Sequence, residues 1–90
     1  MTLRWPLKDK DAKLDFQVNW VPWLAGDTLL TSTFDVPAGL TKVSENNVDG
    51  VATVWLSGGV YGRTYRVVNR VTTAAGRNDE RTISLPVGDK

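Results

Sequence analysis

Apolar and polar residues alternate along most of this chain, which is the pattern of half-buried β-strands. Between Leu14 and Trp20, every second side chain is apolar and shares one face. Five later segments bounded by Gly, Pro, Asn and Asp show similar patterns. Together they predict strands over residues 14–20, 28–36, 40–44, 51–57, 62–73 and 80–87. No helical period of useful length interrupts them, so we expect an all-β domain.

The shared faces of these strands predict the core. The residues expected on the core-facing side are Leu14, Phe16, Val18, Trp20, Leu30, Ser32, Phe34, Val36, Ala52, Val54, Leu56, Tyr65, Val67, Asn69, Val71, Ile83, Leu85 and Val87. Tight turns are expected at residues 37–39 and 74–77, and a longer loop at residues 45–50, which is rich in residues that tolerate positive φ.

The longest predicted strand begins with Gly62 three residues before Tyr65. In immunoglobulin-like sandwiches, a Tyr at this point ties the start of the penultimate strand to the preceding loop. We therefore predict one antiparallel β-sandwich of six to seven strands, Ig-like or fibronectin III-like, over residues 11–90.

Residues 1–10 read as an extended N-terminal arm. Pro6 disfavours helix at Trp5, and Lys8 opens a charged run that continues to Asp11. Trp5 has no local core to enter in this interpretation. Removal of residues 1–10 is accordingly expected to leave the fold intact.

Composition narrows the possible functions. The 90 residues include no Cys and no His, which removes thiolate chemistry and the usual general base, and we predict a protein that is not an enzyme and needs no cofactor or metal. Asp79 and Glu80 would suit a glycoside-cleaving pair or a salt-bridged turn, and the neighbouring arginines favour the turn. A net charge of +1 and the lack of a long apolar run predict no nucleic-acid or membrane partner.

Four Trp residues are many for one small sandwich to bury, so at least one is expected to contact another chain. Trp20 continues an apolar face and reads as core. Trp23, after Pro22, either closes the end of the sandwich or stands at an interface. Trp55 lies opposite an apolar face, and Arg77 lies at a hairpin tip. The residues predicted to bind partners are Arg4, Trp5, Pro6, Leu7, Trp23, Trp55 and Arg77.

Several segments together resemble a family of small structural proteins of tailed bacteriophages, described as fibre-tail adaptors. The segments are residues 8–16 (KDKDAKLDF), 20–28 (WVPWLAGDT), 34–40 (FDVPAGL), 53–59 (TVWLSGG) and 65–81 (YRVVNRVTTAAGRNDER). The resemblance covers residues 8–87. It implies an Ig-like virion component that carries no catalytic residues.

Three functions follow as hypotheses. The first is a virion adaptor, assembled in the host cytoplasm, that links tail or neck to fibres through multivalent contacts with other virion proteins, in several copies arranged in a ring. The second is a decoration protein on the capsid surface. The third is a carbohydrate-binding module with Trp23 or Trp55 as its aromatic platform.

Overall fold

A computed structural model describes residues 3–88. Six strands of six or more residues carry the fold, two two-residue strands precede them, and one short helix interrupts them. The elements are β1 (Leu3–Arg4), β2 (Lys8–Asp9), β3 (Leu14–Asn19), α1 (Val21–Leu24), β4 (Leu29–Asp35), β5 (Leu40–Val48), β6 (Val51–Gly58), β7 (Thr64–Thr73) and β8 (Asn78–Gly88). Within residues 3–88, the helix has four residues, far too few to cross a membrane.

Two sheets face each other across the core. One has the order β1–β8–β7–β4, with β2 also pairing along β8, and the other has the order β3–β6–β5. All six longer strands pair antiparallel, whereas β1 and β2 pair parallel to β8. The predicted all-β, Ig-like sandwich is confirmed, with two short N-terminal strands added to it.

The predicted alternation fills the core. Of the expected core-facing side chains, those buried are Phe16, Val18, Trp20, Phe34, Ala52, Val54, Leu56, Tyr65, Val67, Asn69, Val71, Ile83, Leu85 and Val87. In β4 the register shifts between Leu29 and Thr31, so Leu29 is buried and Leu30 is 60% exposed. The prediction that Leu30 points inward is wrong, because a bulge moves one residue out of the two-residue period.

The corner predicted at Tyr65 is present. The Tyr65 hydroxyl accepts a hydrogen bond from the backbone N–H of Val60 at 2.9 Å. Its ring also closes on Gly39, where an added Cβ would lie 2.8 Å from the hydroxyl oxygen. Gly39 has φ +102°, which L side chains rarely adopt, so both the turn and the close approach require glycine there.

A buried polar network joins the two sheets. The Trp20 indole N–H donates to Asn69 Oδ1 at 2.8 Å, and Asn69 Nδ2 donates to Ser32 Oγ and to the carbonyl of Thr33. Every buried side-chain nitrogen and oxygen within residues 3–88 has a partner. Asn69, a polar residue that the sequence placed on an apolar face, therefore links the two sheets through its side-chain hydrogen bonds.

The strand β5 is longer than predicted. Residues 45–48, expected to form a loop, continue the strand, and the turn is limited to Asp49 and Gly50, which have φ +51° and +82°. Two positive φ values suit a two-residue hairpin of type I′, which an Asp-Gly pair favours. The residues before Asp49 therefore pair directly with the start of β6.

Both sides of the sandwich are capped by side chains. On one side, the Glu45 carboxylate accepts from the Phe34 N–H at 2.8 Å and Lys42 Nζ donates to the Phe34 carbonyl at 3.0 Å. On the other side, the Trp5 indole N–H donates to the carbonyl of Gln17, on the edge strand β3, at 3.0 Å. Capped edges offer fewer unpaired backbone groups to other chains.

Candidate docking surfaces

Trp5 belongs to the core. Its side chain is 8% exposed, stacks on Phe16 with ring centroids 4.9 Å apart, and donates its indole N–H to Gln17. The expectation that Trp5 has no core to enter is wrong, because pairing of β1 with β8 lays the ring between the sheets. Trp5 is therefore not available as a surface side chain in this structure.

The rest of the N-terminal segment also rests on the sandwich. Lys8 is fully buried, and its Nζ donates to the carbonyls of Gly58 at 2.7 Å and Asp9 at 2.9 Å. Burial lowers the pKa of the Lys8 ammonium, against the opposing effect of the nearby carboxylates. Arg4, Pro6 and Leu7 keep exposed side chains.

Residues 1–2 and 89–90 lie outside the described part of the chain. The division into residues 1–10 and 11–90 stays a prediction about folding units. The described part of the N-terminal segment hydrogen-bonds to β8 at both of its strands. The partner-binding role predicted for Arg4, Pro6 and Leu7 also stays a prediction.

Trp23 and Arg77 meet at the end of the sandwich near α1. The Arg77 guanidinium lies 4.2 Å from the centroid of the Trp23 ring and donates to the carbonyls of Trp23 and Leu24. It also pairs with the Asp27 carboxylate at 3.1 Å. Arg77 therefore fastens the β7–β8 hairpin to α1 through contacts within its own chain, and its side chain remains 41% exposed.

Hydrogen bonds to Asp27 lower the pKa of its carboxyl. The Thr73 hydroxyl is the main cause, followed by the Thr28 N–H, Arg77 and the Ala75 N–H. Trp23 packs edge-on against Trp20 with centroids 5.1 Å apart. The cluster closes the end of the sandwich, which is the first of the two roles considered for Trp23. The partner-binding role predicted for Trp23 and Arg77 stays a prediction.

Trp55 lies on the outer face of the β3–β6–β5 sheet and is 38% exposed. Directly opposite are Asp15 on β3 and Ser44 on β5. We call this surface the Trp55 face. By the strand registers, with exposed Val43 added from the register shift between Lys42 and Ser44, it consists of Asp15, Gln17, Asn19, Thr41, Val43, Ser44, Asn46, Val48, Val51, Thr53, Trp55 and Ser57.

The Trp55 face carries a single formal charge, that of Asp15 at its edge. The outer face of the other sheet differs. It presents Arg66, Arg70, Glu80 and Asp35, and Arg70 pairs with both Glu80 and Asp35 at 3.2 Å. A large aromatic residue on a surface with few charges is typical of the buried centre of a protein interface.

A second exposed aromatic residue was missed by reasoning from sequence. Tyr61 is 63% exposed and Val60 is 51% exposed, in the loop between β6 and β7. The signal was present in the sequence, since two bulky residues stand between Gly59 and Gly62, outside any alternating segment.

These features define a small Ig-like sandwich whose distinctive chemistry lies on its outer surface. Among solved structures, the chain is similar to the solution structure of the PKD domain from KIAA 1837 protein. The TM-score is 0.55 at 17% identity, and the match covers 99% of this chain and 79% of that chain. A likeness at this identity shows the fold alone.

Residues 8–86 match the family described as the podophage GP4 fiber-tail adaptor protein gp77. The match covers most of the chain, so the chain belongs to this family, and the predicted resemblance is confirmed. The comparison with curated proteins finds no match.

Proposed function

We propose that this protein is a non-enzymatic adaptor in a phage virion that joins the tail to its fibres through protein–protein contacts. Membership of the fibre-tail adaptor family supports this role. The observation that carries it is the Trp55 face, a sheet surface centred on a partly exposed Trp and carrying one charge, that of Asp15.

The chemistry of the Trp55 face favours a protein partner. Nucleic acids are bound largely through Lys and Arg contacts to phosphate, and this face has neither residue. Where proteins bury surface against each other, aromatic residues are enriched and charged residues are depleted, and this face has one charge among its twelve positions. The absence of His and Cys from the chain also supports a role without catalysis.

The size of the face favours assembly in several copies. Three strands at about 4.8 Å spacing and about eight residues at 3.4 Å each give a projected area of roughly 400 Å². Contact with one partner then buries roughly 800 Å² in total, below the roughly 1,200–2,000 Å² of a stable interface. Copies arranged in a ring would make such individually weak contacts stable together.

The test replaces Thr53, in the middle of the Trp55 face, by Lys. A phage lacking its own copy is complemented with wild type, Thr53→Lys or Thr82→Lys, and the protein in purified virions is quantified by mass spectrometry. Thr82 lies on the outer face of the other sheet, so its variant is a matched Thr-to-Lys control. We expect Thr53→Lys to reduce incorporation at least about tenfold, because a buried unpaired charge is costly, and Thr82→Lys to stay near wild type.

Both variants must first show wild-type urea midpoints. Equal incorporation of Thr53→Lys and wild type would reject the Trp55 face as the docking surface. Immunogold labelling of wild-type virions tests the adaptor role itself. Label at the junction of tail and fibres supports it, and label over the head, or none on particles with accessible epitopes, refutes it.

A further inference from the structure

The loop between β6 and β7, residues 59–63, presents two bulky side chains to solvent. Tyr61 and Val60 are exposed there, and the adjacent Arg63 is exposed as well. The guanidinium of Arg63 makes no ion pair within residues 3–88. We call these three side chains the Tyr61 tip.

The backbone beneath the Tyr61 tip is fixed by hydrogen bonds to three parts of the sandwich. The Gly59 N–H donates to the Gly39 carbonyl at 2.9 Å, and the Val60 N–H donates to the Tyr65 hydroxyl at 2.9 Å. The Gly62 N–H donates to the Val87 carbonyl at 2.9 Å.

Two further hydrogen bonds close the loop. The Val87 N–H donates to the Arg63 carbonyl at 2.8 Å, and the Arg63 N–H donates to the Val60 carbonyl at 3.1 Å. Gly59 is packed as well as bonded, since an added Cβ would lie 2.9 Å from Val87 Cγ2. The loop is therefore ordered before any partner binds.

Exposure and rigidity together are what a binding hot spot needs. Tyr and Arg are over-represented among residues that dominate binding energy. A preorganised backbone loses little further entropy when a partner binds. A Tyr ring exposed on a flexible loop would offer the same contact at a larger entropic cost.

The Tyr61 tip and the Trp55 face are separate surfaces. The tip stands at the end of the sandwich where the chain passes from the β3–β6–β5 sheet to the other sheet, whereas Trp55 lies on the broad side of one sheet. A protein that bridges two partners needs two surfaces of this kind.

We propose that the Tyr61 tip is the second docking site of the adaptor and inserts Tyr61 into an apolar pocket of a second virion protein. The guanidinium of Arg63, which makes no ion pair within residues 3–88, would meet a carboxylate at the rim of that pocket. The partner is a protein distinct from the one that covers the Trp55 face. This inference rests on the proposed adaptor function.

The test measures binding of the purified full chain to two probes, tail particles stripped of fibres and recombinant fibre protein, by biolayer interferometry. Tyr61→Ser should weaken binding to one probe at least about 30-fold and leave the other unchanged. Thr53→Lys should show the reverse preference. Leu30→Ser is the matched control, because Leu30 is 60% exposed at the opposite end of the sandwich.

Further variants test the chemistry of the tip. Tyr61→Phe keeps the ring and should bind within about threefold of wild type, whereas Arg63→Glu should lose at least about tenfold through repulsion from the partner's carboxylate. Gly62→Ala tests rigidity. Gly62 has φ +83° and no heavy atom within 4 Å of an added Cβ, so the change strains the backbone without a clash and should weaken binding with Tyr61 intact.

The outcomes separate the two proposals. Wild type that binds neither probe, even when it is immobilised densely enough to present many copies to the probe, refutes the adaptor function. Wild type that binds both while Tyr61→Ser also binds both unchanged refutes only the Tyr61 tip. If Tyr61→Ser weakens binding to both probes equally, the two surfaces do not have separate partners. If the chain binds host polysaccharide through Tyr61 and binds neither probe, the partner of the Tyr61 tip is not a protein.

Discussion

Replacing Trp5 by Ala tests whether the N-terminal segment is part of the folded core. An aromatic side chain of this kind buries roughly 150–250 Å², which at about 25 cal/mol per Å² corresponds to about 4–6 kcal/mol. A compact denatured state lowers this by roughly 10–40%. Trp5 is 8% exposed and borders the surface, so water can hydrate the freed Gln17 carbonyl. We expect Trp5→Ala to reduce the free energy of unfolding by about 3 kcal/mol.

The assay is urea denaturation followed by far-UV circular dichroism, which reports on the sheets independently of the indole removed. Trp55→Ala is the matched control, because Trp55 is 38% exposed on the outer face, and its loss should cost no more than about 1 kcal/mol. Equal effects of the two variants, or a loss below about 0.5 kcal/mol for Trp5→Ala, would refute the placement of Trp5 in the core. The interpretation of residues 1–10 as a dispensable arm would then stand.

Three further predictions concern the polar contacts of the fold. Asn69→Val leaves the Trp20 indole N–H without an acceptor and should cost about 1–3 kcal/mol in urea denaturation, and a near-neutral result would contradict the buried bridge. Tyr65→Phe removes the hydroxyl that accepts from the Val60 N–H and should lower the free energy of unfolding by about 1 kcal/mol. An unchanged free energy of unfolding would contradict the presence of the corner in solution. Folding lowers the pKa of the Asp27 carboxyl below its ordinary value of 3.8. The contribution of Asp27 to the stability of the fold is therefore fully present above pH 3.8 and is lost as the pH falls through the lower pKa of the folded state. The stability difference between wild type and Asp27→Asn, followed by thermal unfolding from pH 6 to pH 2, should therefore shrink at the acidic end, and a constant difference would contradict the lowered pKa.

Local pattern was sufficient for most of the fold. The two-residue period placed the six longer strands and their inward faces, because a strand that covers a core must alternate its side chains. The corner at Gly62 and Tyr65 indicated the class of sandwich from sequence, because the hydrogen bond that defines it joins residues only five positions apart. Family membership likewise followed from the order of short segments along the chain.

The candidate surfaces depended on contacts between residues far apart in sequence. Trp5 looked like a loose side chain because its partners are on β3 and on β8, which begins more than seventy residues later. Arg77 is an exposed hairpin residue, as the sequence indicated, but its guanidinium also binds groups about fifty residues earlier.

The exposure of Tyr61 and the low charge of the Trp55 face were likewise decided by tertiary structure. The loop that carries Tyr61 is fixed by Val87 and Gly39, which come from two other strands and turns. The Trp55 face exists only when three strands lie side by side and bring their outward positions onto one surface. A sequence determines which residues alternate, but the packing of one strand against another determines which of them remain in contact with solvent.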